Sequence, residues 1–264
     1  MKNRVLCVIA SKGRPTDILR RTLAWIPKVE SIDWKVFVED NEVLSYCNAF
    51  RNAGLPTANI AVLPQRNMGL CYALYHAKKY AIAKDYDLVL KLDDDVRAIL
   101  DSRAKAAFTI EAANKFIADS VPVFDAEEKL GAVRLIRATR AFYFVKNSEK
   151  KFVAKNSQLW GGGYIIRPKI WYQNPYYLTD EDCIAGLGVF REGYYTYTYN
   201  AGVVVTMYEN SGGEQSFNRK ANVMETFERL KEEFPNVELT LSEDHPLGFY
   251  INYSKHLPKE EKLI

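Results

Sequence analysis

DLVLKLDDDV, residues 87–96, is an apolar run that ends in three consecutive carboxylates. Adjacent like charges repel and are kept only where something positive sits among them. A short apolar run bounded by polar residues reads as a buried strand, so "LVLKL" is a strand and Asp93-Asp94-Asp95 lie at its carboxyl end. Upstream, the sequence alternates such runs with helical patterns. "RVLCVIA" and "WKVFVED" are strands, and "TDILRRTLAWI" between them has helical spacing at Ile18, Leu19, Thr22 and Trp25. "EVLSYCNAFRNAG" is helical, "NIAVLP" is a strand, and "GLCYALYHAKKYAIAK" is a helix with Leu70, Ala73, Leu74, Ala77 and Ala81 on one face. This rhythm predicts an α/β fold with a mostly parallel central sheet and helices on both faces.

Beyond residue 100 the pattern changes. A helix is expected around "AKAAFTIEAANKFIAD", then strands at "GAVRLIRA" and "RAFYFV", and an exposed loop at "KNSEKKFVAKNS". "LWGGGYIIRP" is a strand opened by glycines, "YYTYTYNAGVVVTMY" a further strand region, and "QSFNRKANVMETFERLKEEF" a helix before a weakly patterned tail. No repeat or linker divides the chain, so residues 1–264 are read as one domain. The 264 residues carry 48% hydrophobic and 26% charged residues and a net charge of +3, which tolerates a polyanionic partner without implying one. No apolar run approaches the roughly 20 residues that span a bilayer. The opening apolar run stops at "SKGRP" and is read as a first strand, not a signal peptide, which leads to the expectation of a cytoplasmic protein. Cys7, Cys47, Cys71 and Cys183 form no C-x-x-C pair and are expected to be free thiols.

In open α/β sheets, ligands bind at the carboxyl ends of the strands. Two carboxylates and a substrate diphosphate can share Mg²⁺ or Mn²⁺; the alternative for Asp93–Asp95 is a solvated acidic turn. After the first strand, "ASKGRPT" offers Ser11, Lys12, Gly13 and Arg14 to a phosphate, or makes an ordinary β-to-α turn. After the second, Glu39 or Asp40 can accept bonds from a ribose or a base, and Asp40 or Asn41 can equally cap a helix. Arg66 and Asn67 precede a helix opening near Gly69, a place that suits an anion or a plain cap. Asp180, Glu181 and Asp182 open an apolar helix, where acids meet the helix dipole or supply a general base.

Taken in order, "ASKGRP", "EDN", "RNMG", "KLDDDV", "WGGGYIIRP" and "DEDCIAGLGVFREGYY" resemble the nucleotide-sugar glycosyltransferases of the GT-A fold, over roughly residues 4 to 205. The resemblance implies a Rossmann-like nucleotide-sugar-binding half (1–100), an acceptor-binding half with the C-terminal tail (101–264) and an Asp-x-Asp signature. Asp93 and Asp95 would bind Mn²⁺ or Mg²⁺ on the donor's diphosphate, and Asp94 would touch the donor. His245 would be a further metal ligand, with His256 second and His76 a packed or surface residue. Asp182 would deprotonate the acceptor, Glu181 would contact it, and Trp160, Gly161, Gly162 and Gly163 would line its site. The combination "SKGRPT…RNMG…KLDDDV" also looks like the TET-associated glycosyltransferases of bacteriophages. That narrower resemblance implies a nucleoside-diphosphate sugar donor, UDP-sugar first among them, and hydroxymethylated pyrimidine in DNA as acceptor. Arg134, Arg137, Arg140, Lys146, Lys150, Lys151 and Lys155 would then be available to DNA phosphates, or are solvated surface charges. The competing readings are a glycosyltransferase for polysaccharide or protein, a sugar nucleotidyltransferase, and a non-catalytic nucleotide-sugar or DNA-binding module.

Overall fold

Strands β1 (Val5–Ala10), β2 (Ile32–Glu39), β3 (Ile60–Leu63) and β4 (Leu88–Leu92) form the parallel part of the sheet in the computed structural model. The model describes residues 4–101, 109–137, 151–154, 159, 162–177, 181–206, 219–241 and 249–252. Helix α2 (Val43–Asn52) links β2 to β3, and α3 (Gly69–Ala83) links β3 to β4. The segment after β1 keeps only a four-residue helix, α1 (Asp17–Arg20), followed by 3-10 turns at Thr22–Ala24 and Ile26–Lys28. The continuous helix expected over "TDILRRTLAWI" is therefore broken, at Arg21, whose φ of −119° and ψ of −108° are not helical. Beside it, the hydroxyl of Thr22 is drawn into a tertiary contact described below.

The chain continues through β5 (Val96–Asp101), α4 (Thr109–Ala126), β6 (Leu130–Arg137), β7 (Phe152–Ala154), β8 (Gly163–Ile166), α5 (Glu181–Arg191), β9 (Tyr195–Thr206) and α6 (Arg219–Glu233). It ends, among the described residues, in an antiparallel pair, β10 (Glu238–Leu241) and β11 (Phe249–Asn252). The main sheet runs β3-β2-β1-β4-β8-β6-β9-β5, with β7 also on β9. β8 is antiparallel to β4 and β6, β6 is parallel to β9, and β5 and β7 are antiparallel to β9. Strands from both halves of the sequence thus share one sheet. β5, β7 and the β10–β11 pair were not expected, and β7 lies inside the segment read as a loop. The strand expected at "RAFYFV" lies outside the described residues.

Connectivity forces this sheet to curl. β4 and β5 are separated in the sheet by three strands, about 19 Å if it were flat. Only Asp93–Asp95 join them in the chain, a reach of about 14 Å at full extension. The far edge must therefore fold back over the end of β4. Thr22 pins that closure: its Oγ1 donates to the carbonyl of Asp93 at 2.8 Å and accepts from the amide of Val96 at 3.0 Å. Trp25 Nε1 adds a bond to the Val96 carbonyl at 3.2 Å.

Helices cover both faces, so β1 and β4 are apolar on both sides. One face packs Val5, Cys7, Ile9, Leu90 and Leu92 against Tyr46 and Phe50 of α2 and Phe116 and Ile117 of α4. The other packs Leu6, Val8 and Val89 against Ala73 and Ala77 of α3 and Ala185 and Val189 of α5. A third cluster joins α5 to α6 through Ile184, Leu187, Phe227 and Leu230. None of the four cysteines is in a disulfide.

Candidate active site

The carboxyl ends of β1, β2 and β4 open at the same side of the sheet, where α2 leaves one way and the antiparallel β8 begins on the other. The sequence places polar residues at each of these ends: Ser11 after β1, Glu39 closing β2, and Asp93–Asp95 after β4. Three hydrogen-bonded groups assemble there.

In the first, Asp94 turns inward. Its Oδ2 accepts from Ser11 Oγ at 2.7 Å and its Oδ1 from Arg14 Nη1 at 2.8 Å. Ser11 Oγ also bonds Tyr46 OH at 2.7 Å, and Tyr46 OH accepts the Arg14 amide at 3.2 Å. Burial pushes the Asp94 carboxyl up, while Arg14 and Ser11 pull it down. Burial likewise pushes the Tyr46 phenol well up and keeps it neutral. This cluster stitches the turn after β1 to the turn after β4, and both Asp94 oxygens are spent inside it.

The second group is built on Glu39. Its Oε1 accepts from Lys12 Nζ at 2.9 Å and from the Asn67 amide at 2.7 Å, and Lys12 also reaches Asn67 Oδ1 at 2.7 Å. Asn67 adopts a left-handed φ of +56° to present that amide, a conformation asparagine tolerates better than most residues. Glu39 Oε2 is buried and meets no hydrogen-bond partner among the described residues. A buried carboxylate oxygen in that condition is costly unless a ligand donates to it. Beside it, Arg66 grips Asp40 with two nitrogens and holds that carboxyl below its usual range. Gly13 donates its amide to Glu42 at 2.9 Å. Gly69 is the first residue of α3, whose leading amides have no side-chain cap.

The third group was not anticipated. Lys91 of β4, 1% exposed, donates to Asp93 Oδ1 at 2.7 Å, Asp182 Oδ1 at 3.0 Å and Glu181 Oε1 at 3.2 Å. It brings the acids after β4 together with those opening α5. Burial works against its charge, but Asp182, Asp93 and Glu181 outweigh that and keep the ammonium protonated. One positive charge faces three carboxylates. Burial pushes Asp182 above the ordinary carboxyl range, Glu181 and Asp93 push the same way, and Lys91 opposes them. The signal was legible: a lysine inside a strand that must be buried on both faces requires carboxylate partners, and acidic clusters follow at 93–95 and 180–182.

Gly162 and Gly163 run antiparallel beside the end of β4. The Asp93 amide donates to the Gly162 carbonyl at 3.2 Å, and Gly163 pairs with Leu92. Gly162 has φ +78°, and a Cβ there would meet Thr206 Cγ2 at 2.9 Å and Asp93 Oδ2 at 3.1 Å. The glycines let β8 and β9 close on the aspartate turn. Trp160, Gly161, Asp180, His245 and His256 lie outside the described residues. His76 stacks with Tyr72 and Tyr75 on α3. Of the basic residues considered for DNA, Arg134 sits in β6 and bonds Thr198 at 2.9 Å, and Lys151 pairs with Asp119 at 2.8 Å. Arg137 also lies in β6 rather than in a loop; Arg140, Lys146, Lys150 and Lys155 are outside the described residues.

Among the described residues, no three His, Cys, Asp or Glu side chains are arranged to hold a metal by themselves. Asp93 and Asp95 are both part-exposed where Asp94 is buried. That donor set, two hard carboxylates at a mouth, fits a cation that takes its remaining ligands from a substrate's phosphates. Among the described residues, no helix is long and apolar enough to cross a membrane.

The fold has counterparts among solved structures. The chain is similar to TarS 1–349 of S. aureus, in complex with UDP-GlcNAc. The TM-score is 0.54 and the identity 11%, over 88% of this chain and 67% of that one. It is also similar to GalNAc-T7 with UDP, GalNAc and Mn²⁺, with TM-score 0.56 and 11% identity over 87% of this chain. It spans 48% of that protein, about half its length. No family model and no curated protein matches the sequence. At this identity the likeness establishes the architecture: the GT-A-like α/β fold expected from the sequence.

Proposed function

We propose that the chain is a nucleotide-sugar glycosyltransferase, moving a sugar from a nucleoside-diphosphate donor to a hydroxyl acceptor. The observation that carries this reading is the meeting of two acidic groups at one buried ammonium, beside the carboxyl ends of β1, β2 and β4. The donor would lie across those strand ends, with a UDP-sugar favoured. Glu39 Oε2 is suited to accept an N–H or O–H from base or ribose. Lys12, Arg66, Asn67 and the amide of Gly69 would face the remainder of the nucleotide, with Ser11, Gly13, Arg14, Asp40 and Asp94 holding the loops that carry them.

Asp93 and Asp95 would hold Mn²⁺ or Mg²⁺, which when bound neutralises charge on the leaving diphosphate. Asp182 takes the proton of the acceptor hydroxyl as its oxygen bonds to the sugar's anomeric carbon. The bond from that carbon to the diphosphate breaks in the same displacement, and Glu181 orients the acceptor. The best candidate for the acceptor is hydroxymethylated pyrimidine in DNA, a choice that rests on the sequence resemblance. Polysaccharide or protein hydroxyls are the alternative.

The test is nucleoside mass spectrometry after incubating hydroxymethylcytosine DNA with the protein, Mn²⁺ and a panel of nucleotide sugars. A pentose- or hexose-sized mass gain supports the full reading. Metal-dependent release of nucleoside diphosphate without that gain keeps the transferase and discards the DNA. Absence of both overturns the proposal in favour of a binding module.

A further inference from the structure

Lys91 is the only residue of β4 that is not apolar, and an apolar side chain would complete that strand at no loss. Replacing buried ion pairs with well-packed apolar residues is often neutral or stabilising, so packing alone does not account for a lysine here. Its three N–H donors are matched one to one by Asp93, Glu181 and Asp182, at 2.7, 3.2 and 3.0 Å. The cross-strand neighbour Tyr164, in register with Lys91, places its ring 5.7 Å from the ammonium and closes that side. The partners come from two elements 90 residues apart in sequence: the turn after β4, on the donor side, and the first turn of α5. Asp182 gives Oδ1 to Lys91, and its Oδ2 makes no hydrogen bond among the described residues, while 21% of the side chain stays exposed. One oxygen is held by the ammonium and the other is not.

Resting on the glycosyl-transfer reading above, we propose that Lys91 is a positioning residue for the transfer. Its ammonium clamps Oδ1 of Asp182 and presents Oδ2 to the acceptor hydroxyl, and it ties that oxygen at a fixed distance from the donor-gripping Asp93. Lys91 does not touch substrate; it acts through Asp182. Its hold on Asp93 Oδ1 also competes with any cation that carboxylate binds. Two effects of opposite sign follow when the charge is removed: slower turnover and no weakening of cation binding.

The experiment is a double-mutant cycle on the full chain with parent, Lys91→Met, Asp182→Asn and the double variant. The readouts are release of UDP from UDP-glucose and UDP-N-acetylglucosamine, with water in the acceptor's place, and Mn²⁺ titration by electron paramagnetic resonance. Each single variant is expected to lose roughly 100-fold in kcat, the scale of a general base, with donor KM changed less than about twofold. Once Asp182→Asn is in place, removing Lys91 is expected to cost less than about threefold more, because residues acting as a unit are non-additive. Lys91→Met is expected to bind Mn²⁺ at least as tightly as the parent, since a cation 2.7 Å from Asp93 is gone.

Full activity in Lys91→Met overturns the proposal. So does a further 100-fold loss when Lys91→Met is added to Asp182→Asn, or Mn²⁺ binding that falls together with activity. If Lys91→Met does not fold, Lys91→Gln, which keeps a hydrogen-bond donor without the charge, takes its place in both the single and the double variant, so that the cycle still closes. A parent that releases no UDP from either donor sinks the transfer reading, and this assignment with it. That outcome is read in the parent and is distinct from a failure confined to the variants.

Discussion

Gly162→Ala puts the closure of the sheet on the aspartate turn to a quantitative test. Residue 162 has φ +78°, and an L side chain in the left-handed region costs about 1–2 kcal/mol. The added methyl would also lie 2.9 Å from Thr206 Cγ2 and 3.1 Å from Asp93 Oδ2, and overpacking of that kind costs about 1–3 kcal/mol. The sum is about 3 kcal/mol, or a Tm lowered by about 6–12 °C in a chain of this size. Gly54→Ala is the internal control. Its φ is +69°, but nothing lies within 4 Å of the added carbon, so it bears the strain alone, with a Tm loss of about 2–8 °C. The two variants are compared by calorimetry and by metal-dependent UDP release. Gly54→Ala is expected to turn over donor like the parent, and Gly162→Ala to lose more than about tenfold as Asp93 is displaced. Equal melting of the two variants, with full turnover in Gly162→Ala, would refute the reasoning.

Three further outcomes are expected. Arg14→Met strands the buried Asp94 carboxylate and should cost about 3–5 kcal/mol in urea unfolding, most of it recovered when Asp94→Leu is added. Glu39→Gln should raise the donor KM about tenfold, equivalent to about 1.4 kcal/mol of binding, with kcat little changed; an unaltered KM would remove Glu39 from the donor site. Burial works to raise the Asp119 carboxyl, but Lys115, Lys151 and Tyr199 outweigh it and hold it below its ordinary 3.8. Its contribution to stability is therefore present above pH 3.8 and lost as pH falls through the depressed value. Asp119→Asn should flatten the acid limb of a stability–pH curve below 3.8 and lower the plateau above it.

What could be read from the chain divides along physical lines. β1, β2, β3 and β4 were legible because central parallel strands are apolar on both faces, and α2 and α3 because each buries one stripe. β10 escaped because it is mostly exposed and pairs only with β11, leaving no periodicity to detect. β7 escaped because three residues at the edge of β9 were masked by the lysines around them. The helix expected after β1 failed because Thr22 spends its hydroxyl on Asp93 and Val96, a contact 71 and 74 residues away that no local window contains. In the site, the carboxylates were legible from their position after strands. Tyr46 looked like one more core aromatic of α2, although its hydroxyl joins Ser11 to Arg14. Lys91 stood in plain view inside the opening motif, but its partners in α5 become visible only once β8 is seen to bring that helix over the sheet.

The buried ammonium also bears on how the molecule opens. Lys91 belongs to a central strand, but two of its three counter-charges ride on α5. If α5 peeled away alone, a lysine in the middle of the sheet would be left with Asp93 as its sole anionic neighbour among these three, and Glu181 and Asp182 would be exposed together without a cation. Such a partial opening is penalised far more than the loss of apolar contact would imply, so α5 is expected to exchange its amide hydrogens on the same slow clock as β4, although they lie far apart in sequence. The helix that carries Glu181 and Asp182 is thereby welded into the same cooperative unit as the strand that leads to Asp93. A half-melted species that keeps the parallel strands and releases the helix is denied a stable basin.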